Sequence, residues 1–288
     1  MTAVTARPVD DFTTELHVYE PHKVGLPRFG PYFRELWRRR GFATELAHTK
    51  MDAANTDTLL GQAWLIVNPM LLALVYYLLA TVLSRGRANG IGYLAHITGG
   101  LFLFYFVAGC MSGGANAVTS SGRLIMNTSF PKMLLPVSAV YHAFRRFLPT
   151  LVVYAVIHLL AGLPVGFALF WLIPVFALVA MFAMGLANLL GTLQVYFRDT
   201  TSFLPYFVRI WLYVSPVLLT VEQIRHRFGG LHIFNPLYSL MGSWGIVLEE
   251  NRAPSATLLA QAAFWAVGTF VFGSLLFMSR ERDFAVRL

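Results

Sequence analysis

Between Asp57 and Glu222 the chain carries a single carboxylate, Asp199. No water-soluble core can be built on such a stretch. A soluble domain covers its surface with roughly 25% charged residues, and here only 12% of the chain is charged while 57% is apolar. The surface that this leaves uncovered has to face lipid. The gap is therefore the signature of a run of membrane spans.

A helix needs about 20 mostly apolar residues to cross the hydrocarbon core. Five segments meet that length readily: Leu59–Leu83, Ile91–Val118, Phe167–Tyr196, Phe203–Val221 and Ala256–Met278. A sixth, Val137–Leu160, is interrupted by Arg145 and Arg146. That pair is expected near the membrane interface or against a neighbouring subunit. One further apolar stretch, Phe228–Leu248, is broken by Gly229, Gly230 and the Asn235-Pro236 pair. Proline removes a donor and restricts the residue before it, so this stretch reads as two short helices that enter and leave on one side. The fold class is an all-α integral membrane protein with six spans and a re-entrant segment before the last of them. Residues 1–58 are polar and form a separate N-terminal segment without a cleavable signal, and residues 59–288 form the transmembrane domain.

The net charge is +8, with 22 Lys and Arg. Basic residues gather at the ends of apolar runs, which marks them as topology signals rather than a nucleic-acid surface. Arg7, Lys23, Arg28, Arg34, Arg38, Arg39, Arg40 and Lys50 precede the first span. Alternate crossing places Arg123, Lys132, Arg145, Arg146, Arg198, Arg280, Arg282 and Arg287 on the same side. The other side keeps Arg85, Arg87, Arg225, Arg227 and Arg252. Six spans with both termini in the cytoplasm satisfy this pattern. Before the first span, within about residues 32–48, Tyr32, Phe33, Leu36 and Trp37 fall on one helical face and Arg34, Arg38 and Arg39 on another. That suits an amphipathic helix in the headgroup layer, or one packed on a soluble partner.

Several chemistries are disfavoured. A phosphate-binding Walker loop ends in Gly-Lys-Ser/Thr, and none of the three lysines, Lys23, Lys50 and Lys132, follows a glycine. Proton relays need intramembrane acids or histidines. Only His96, His142 and His158 are available, and a lone histidine bonded to a carbonyl is the simpler reading of each. Adjacent acids occur only as Asp10-Asp11 and Glu249-Glu250, outside the spans, so no metal site is expected. Cys110 is the one cysteine, which excludes an intramolecular disulfide.

Aromatic residues make up 15% of the chain. Most should belong to interfacial belts, but some fall within spans, where a tyrosine hydroxyl needs a polar partner. Trp64, Tyr76, Tyr105, Tyr206 and Trp211 are candidates to line a channel that passes sugars by stacking. Gly109, Gly113 and Ala117 recur at every fourth position, a spacing that lets helices pack closely.

Three stretches carry a family resemblance. Leu60-Gly61-Gln62-Ala63-Trp64 with Asn68-Pro69 opens the first span. Leu124-Ile125 leads through Phe130-Pro131-Lys132 to Leu135-Pro136 after the second. Tyr196-Phe197-Arg198-Asp199 is followed by Ser215-Pro216 and Asn235-Pro236. Together, over about residues 32–280, they resemble the permease subunits of ABC exporters for polysaccharides such as O-antigen, teichoic acid and galactan. The actinobacterial galactan exporters are the most similar in appearance. The run Lys50 to Asp57 differs from the basic, tyrosine-containing run that family members often carry there.

The resemblance implies a homodimer with two copies of a separate nucleotide-binding ATPase, which would hold ATP and Mg while this chain binds no cofactor. It implies a bacterial inner-membrane location, contact with membrane lipid and a lipid-linked polysaccharide as substrate. Phe130, Pro131 and Lys132 would transmit motion from the ATPase together with Arg198 and Asp199, and Asn235 and Pro236 would belong to the gate. A small-molecule or drug exporter of the same fold and an ion-coupled sugar flippase are the rival readings. A membrane transferase would need the acidic metal site that is missing.

Overall fold

The computed structural model describes residues 26–55, 61–83, 90–219 and 221–288. Arg7, Asp10, Asp11, Lys23, Asp57, Leu60, Arg85 and Arg87 lie outside the described residues. Those that are described form helices α1 (Phe29–Arg38), α2 (Arg40–Asn55), α3 (Trp64–Leu83), α4 (Ile91–Thr119), α5 (Gly122–Asn127) and α6 (Leu134–Leu160). They continue as α7 (Leu172–Tyr196), α8 (Thr200–Val214), α9 (Val221–Phe228), α10 (Pro236–Glu250), α11 (Ala256–Arg280) and α12 (Phe284–Arg287). Short 3-10 turns precede α3, α7 and α10 and separate α11 from α12. Among the described residues there is no strand.

Helices α4, α6, α7 with its leading turn, and α11 are each long and apolar enough to cross a bilayer, and α3 contributes a shorter apolar stretch, Trp64–Leu78. Lipid offers no hydrophobic drive for helices to associate, so close backbone approach and interhelical hydrogen bonds have to do it. The central helix, α4, shows how. On one side Gly109 and Gly113 meet Ala143 and Ala139 of α6, and methyl groups on the glycines would sit 3.5 and 3.2 Å from those alanine Cβ atoms. On another side Gly114 lies so close to α7 that an added Cβ would be 2.4 Å from the Ala187 Cα. Helix α7 repeats this with α11, where a Cβ on Gly273 would reach within 2.2 Å of the Gly185 carbonyl oxygen. Beside that crossing the buried Asn188 donates to the Ser274 hydroxyl at 3.0 Å. Between α4, α6, α7 and α10, Phe106, Phe147, Phe176 and Trp244 fill the core, with Phe147 stacked on Phe176 at 5.3 Å.

Three boundaries differ from those read in the sequence. The third long helix begins at Leu134 rather than Val137, because Pro136 fits the first helical turn, where its missing N–H costs nothing. The fifth apolar run, Phe203–Val221, is not one helix. Helix α8 covers Thr200–Val214, 15 residues, a rise of ~22 Å, short of the ~30 Å core. It stops at Ser215-Pro216, and Val217 then packs against Gly100 of α4, whose added Cβ would lie 3.2 Å from the Val217 Cα. Over 228–248 the chain forms the short 3-10 turn Gly229–Phe234 and then α10 over Pro236–Glu250, and a further short helix not read in the sequence, α9 over Val221–Phe228, precedes them.

At the N-terminal side, the helix expected over about 32–48 bends at Arg39 into α1 and α2. The apolar face of α1 splits. Tyr32 and Leu36 pack onto the end of the bundle, whereas Phe33 and Trp37 point outward, 46% and 67% exposed. Helix α2 lies along α6 through buried Ala43 and Ala47, and the Arg145 guanidinium donates to the His48 ring at 2.5 Å. That contact ties α2 to the middle of α6.

Candidate functional site

Helices α3, α4, α6 and α8 enclose a groove of about 640 Å³. Tyr76, Phe102, Phe104, Tyr105, Phe106 and Phe147 line its aromatic walls, and Asn68, Ser112, His142, Arg146 and Arg209 supply its polar groups. Tyr76 and Tyr105 both line this groove, so their hydroxyls can find polar partners there. Among the described residues no carboxylate lines it. Arg146 and Arg209 are both exposed. An arginine within an apolar helix is costly against hydrocarbon and is most often found facing protein or water. The two arginines therefore favour water or protein, rather than lipid, beside the groove. A shallower hollow of about 530 Å³ lies where α1 and α2 meet α6 and is lined by Arg38, Arg40 and Tyr141.

Arg209 is absent from the sequence-derived candidates. A single arginine inside an apolar run is itself a signal, and it was available at that position. Of the five aromatic candidates, Tyr76 and Tyr105 line the groove. Trp64 sits half-buried at the start of α3, and Tyr206 is 66% exposed on the outer face of α8. Trp211 faces the other way, with its ring against Phe207 at 5.2 Å and Phe182 at 6.2 Å.

The Trp211 indole N–H donates to the Asn235 side-chain oxygen at 3.1 Å. That oxygen also accepts the Leu237 N–H, capping α10, while the Asn235 amide donates to the Val214 carbonyl at 2.9 Å. One side chain thus satisfies the broken backbone at both the end of α8 and the start of α10. Pro236 follows at the first position of α10, where it is pre-organised for the helix.

The remaining candidates meet at the basic end of the bundle. Phe130 packs against Phe42 of α2 at 5.2 Å, and Arg39 donates to the Ser129 carbonyl at 2.8 Å. Pro131 starts the turn into α6. The Lys132 backbone N–H donates to Glu281 Oε1 at 2.6 Å, and the Tyr32 hydroxyl donates to Glu281 Oε2 at 2.5 Å. Glu281 is buried beyond the apolar part of α11, and burial pushes its carboxyl above the usual range, against the pull of the Tyr32 and Lys132 hydrogen bonds. Arg198 and Asp199 lie exposed in the α7–α8 turn. No ion pair joins them among the described residues. Gln194 holds that turn by donating to the Arg198 carbonyl and accepting the Thr201 N–H at 2.9 Å. The Tyr196 hydroxyl donates to Asp283 at 2.9 Å. Both loops are therefore tied to the tail after α11. At the opposite end, His96 of α4 pairs with Glu249 of α10 at 2.7 Å.

Long helices packed through glycine crossings, with an aromatic groove on one flank and two loops tied to one tail at the basic end, define a polytopic membrane protein. The chain belongs to the ABC-2 type transporter family, whose model matches residues 53–244. Similar proteins include the O-antigen export system permease protein RfbA of Myxococcus xanthus, 29% identical over 258 residues, which are 88% of this chain and 97% of that protein. A protein of the same name from Klebsiella pneumoniae is 27% identical over 189 residues, covering 65% of this chain and 72% of its own length.

Proposed function

We propose that the chain is the permease subunit of an ATP-driven exporter that moves a lipid-linked polysaccharide, galactan-like in kind, out of the cytoplasm across a bacterial inner membrane. The groove carries this reading. Aromatic faces suit the apolar C–H faces of sugars, and exposed Arg146 and Arg209 favour an aqueous or protein-lined space beside them. Two copies facing one another across their grooves would enclose such a space, with α8 and the chain after Ser215 together making the fifth of six crossings in each copy and both termini in the cytoplasm. Helices α9 and α10 are the re-entrant pair that gates it. A separate ATPase, in two copies holding ATP and Mg, docks at the basic end on the loops containing Phe130–Lys132 and Arg198-Asp199. The similarity to O-antigen export permeases supports a glycan rather than a drug as cargo.

The test is export of a lipid-linked glycan into proteoliposomes that contain the chain and its ATPase. Cysteines at Ser112 or Val208, in a Cys110→Ala background, should react with a membrane-impermeant maleimide, and bulky adducts there should stop export. Reaction only with a lipid-soluble reagent, or unhindered export after labelling, would refute the groove as conduit.

A further inference from the structure

The tail that follows α11 makes more contacts than a helix end requires. Glu281 is 7% exposed, and its two oxygens accept from two distant segments, the Tyr32 hydroxyl of α1 and the Lys132 N–H before α6. Two residues on, Asp283 accepts the Tyr196 hydroxyl at the end of α7. The Arg287 guanidinium lies over the Tyr196 ring at 4.3 Å. Phe284 is fully buried, edge-on to Phe277 of α11 at 5.0 Å. Leu288 reaches α5, where its Cβ would lie 4.0 Å from a Cβ on Gly122. A buried carboxylate is tolerated only while its partners stay in place. Sliding α1 or the loop around Lys132 past the end of α11 would strand Glu281.

We infer that residues 281–288 clamp α1, α5, the loop around Lys132 and the end of α7 into one rigid body that moves with α11, with Glu281 as its positioning residue. This rests on the export reading above, since the clamp would pass the motion of the ATPase-facing loops to the last span. The tail lies outside the residues that the family model matches, 53–244.

The test uses the assembled permease–ATPase complex and reads glycan exported per ATP hydrolysed. Cysteines at Gly122 and Leu288, in a Cys110→Ala background, are spaced for a disulfide, which needs Cβ atoms about 3.5–4.5 Å apart. If α5 and the tail move together, the oxidised complex should export within about twofold of the reduced one, a ratio worth well under the 1.4 kcal/mol of a tenfold change. Export that stops on oxidation and returns with reductant, while ATP turnover continues, overturns the clamp. Glu281→Leu should lower export per ATP about tenfold with ATP turnover retained, and Glu281→Gln, which keeps an acceptor for the Lys132 N–H, should recover most of it. An unchanged ratio in Glu281→Leu overturns the positioning role. If that variant fails to assemble, Tyr32→Phe, which removes the hydroxyl that donates to Glu281, answers the same question.

A wild-type complex that exports nothing would refute the export reading alone. The clamp is then decided by spin labels at Met126 and Val286, both exposed. Their separation should be the same with and without ATP, and a change overturns the inference.

Discussion

Asn235→Ala removes three hydrogen bonds at once. The Trp211 indole N–H, the Leu237 N–H and the Val214 carbonyl all lose their Asn235 partner, at 3.1, 3.1 and 2.9 Å. A lost helix cap costs ~1 kcal/mol, and an ordinary hydrogen bond contributes ~0.5–1.5 kcal/mol net. Asn235 is half-buried, so water can partly replace it, and the sum comes to about 2–3 kcal/mol. At about 2–4 °C per kcal/mol for a chain of this size class, thermal unfolding in detergent should shift down by roughly 5–10 °C. The source of the loss is separable by a double-mutant cycle. Trp211→Phe alone should cost about 1 kcal/mol, but less in the Asn235→Ala background, where the indole N–H is already unpartnered. A shift within the error of the wild type, or strictly additive losses, would refute the idea that this side chain joins α8 to α10.

Gly273→Ala should destabilise the chain by about 1–3 kcal/mol through overpacking, because the new methyl meets the Gly185 carbonyl at 2.2 Å. Gly268→Ala, with nothing within 4 Å of its Cβ, should be neutral in the same unfolding assay. Arg209→Leu and Arg146→Leu should each lower glycan export about tenfold, a loss of ~1.4 kcal/mol, without lowering the unfolding temperature. Arg145→Leu should instead affect stability, since Arg145 is held by His48 rather than by the groove. The purified chain alone should release no phosphate from ATP above a protein-free control, and turnover should appear only when the ATPase is added.

The long helices were legible because length and apolar content act locally, and the Gly109–Gly113 stripe marked a close helix crossing without naming its partner, Ala139 and Ala143 of α6. The split face of α1 was not legible. Residues 32 and 36 lie on a stripe beside 33 and 37, and only tertiary packing decides which stripe meets the bundle and which meets lipid. The role of Glu281 leaves no local trace either. Its partners, Tyr32 and Lys132, are 249 and 149 residues away in sequence. Arg209 was visible as a letter but hidden by the apolar run around it.

Helix α8 draws these threads together. Ser215-Pro216 breaks an apolar run that hydropathy alone would carry to Val221, and a break at membrane depth exposes backbone groups that lipid cannot satisfy. Asn235 is placed where it can serve them, which gives the Asn235-Pro236 pair a physical reason to be there. The same helix turns Val208, Arg209 and Leu212 toward the groove and Trp211 toward Asn235. Tilting α8 to widen the groove must therefore pull on the joint with α10. If the groove is a conduit and α10 part of its gate, Trp211→Phe should raise leak of a small sugar through the resting complex. Tyr206→Phe, on the outward face of the same helix, should not.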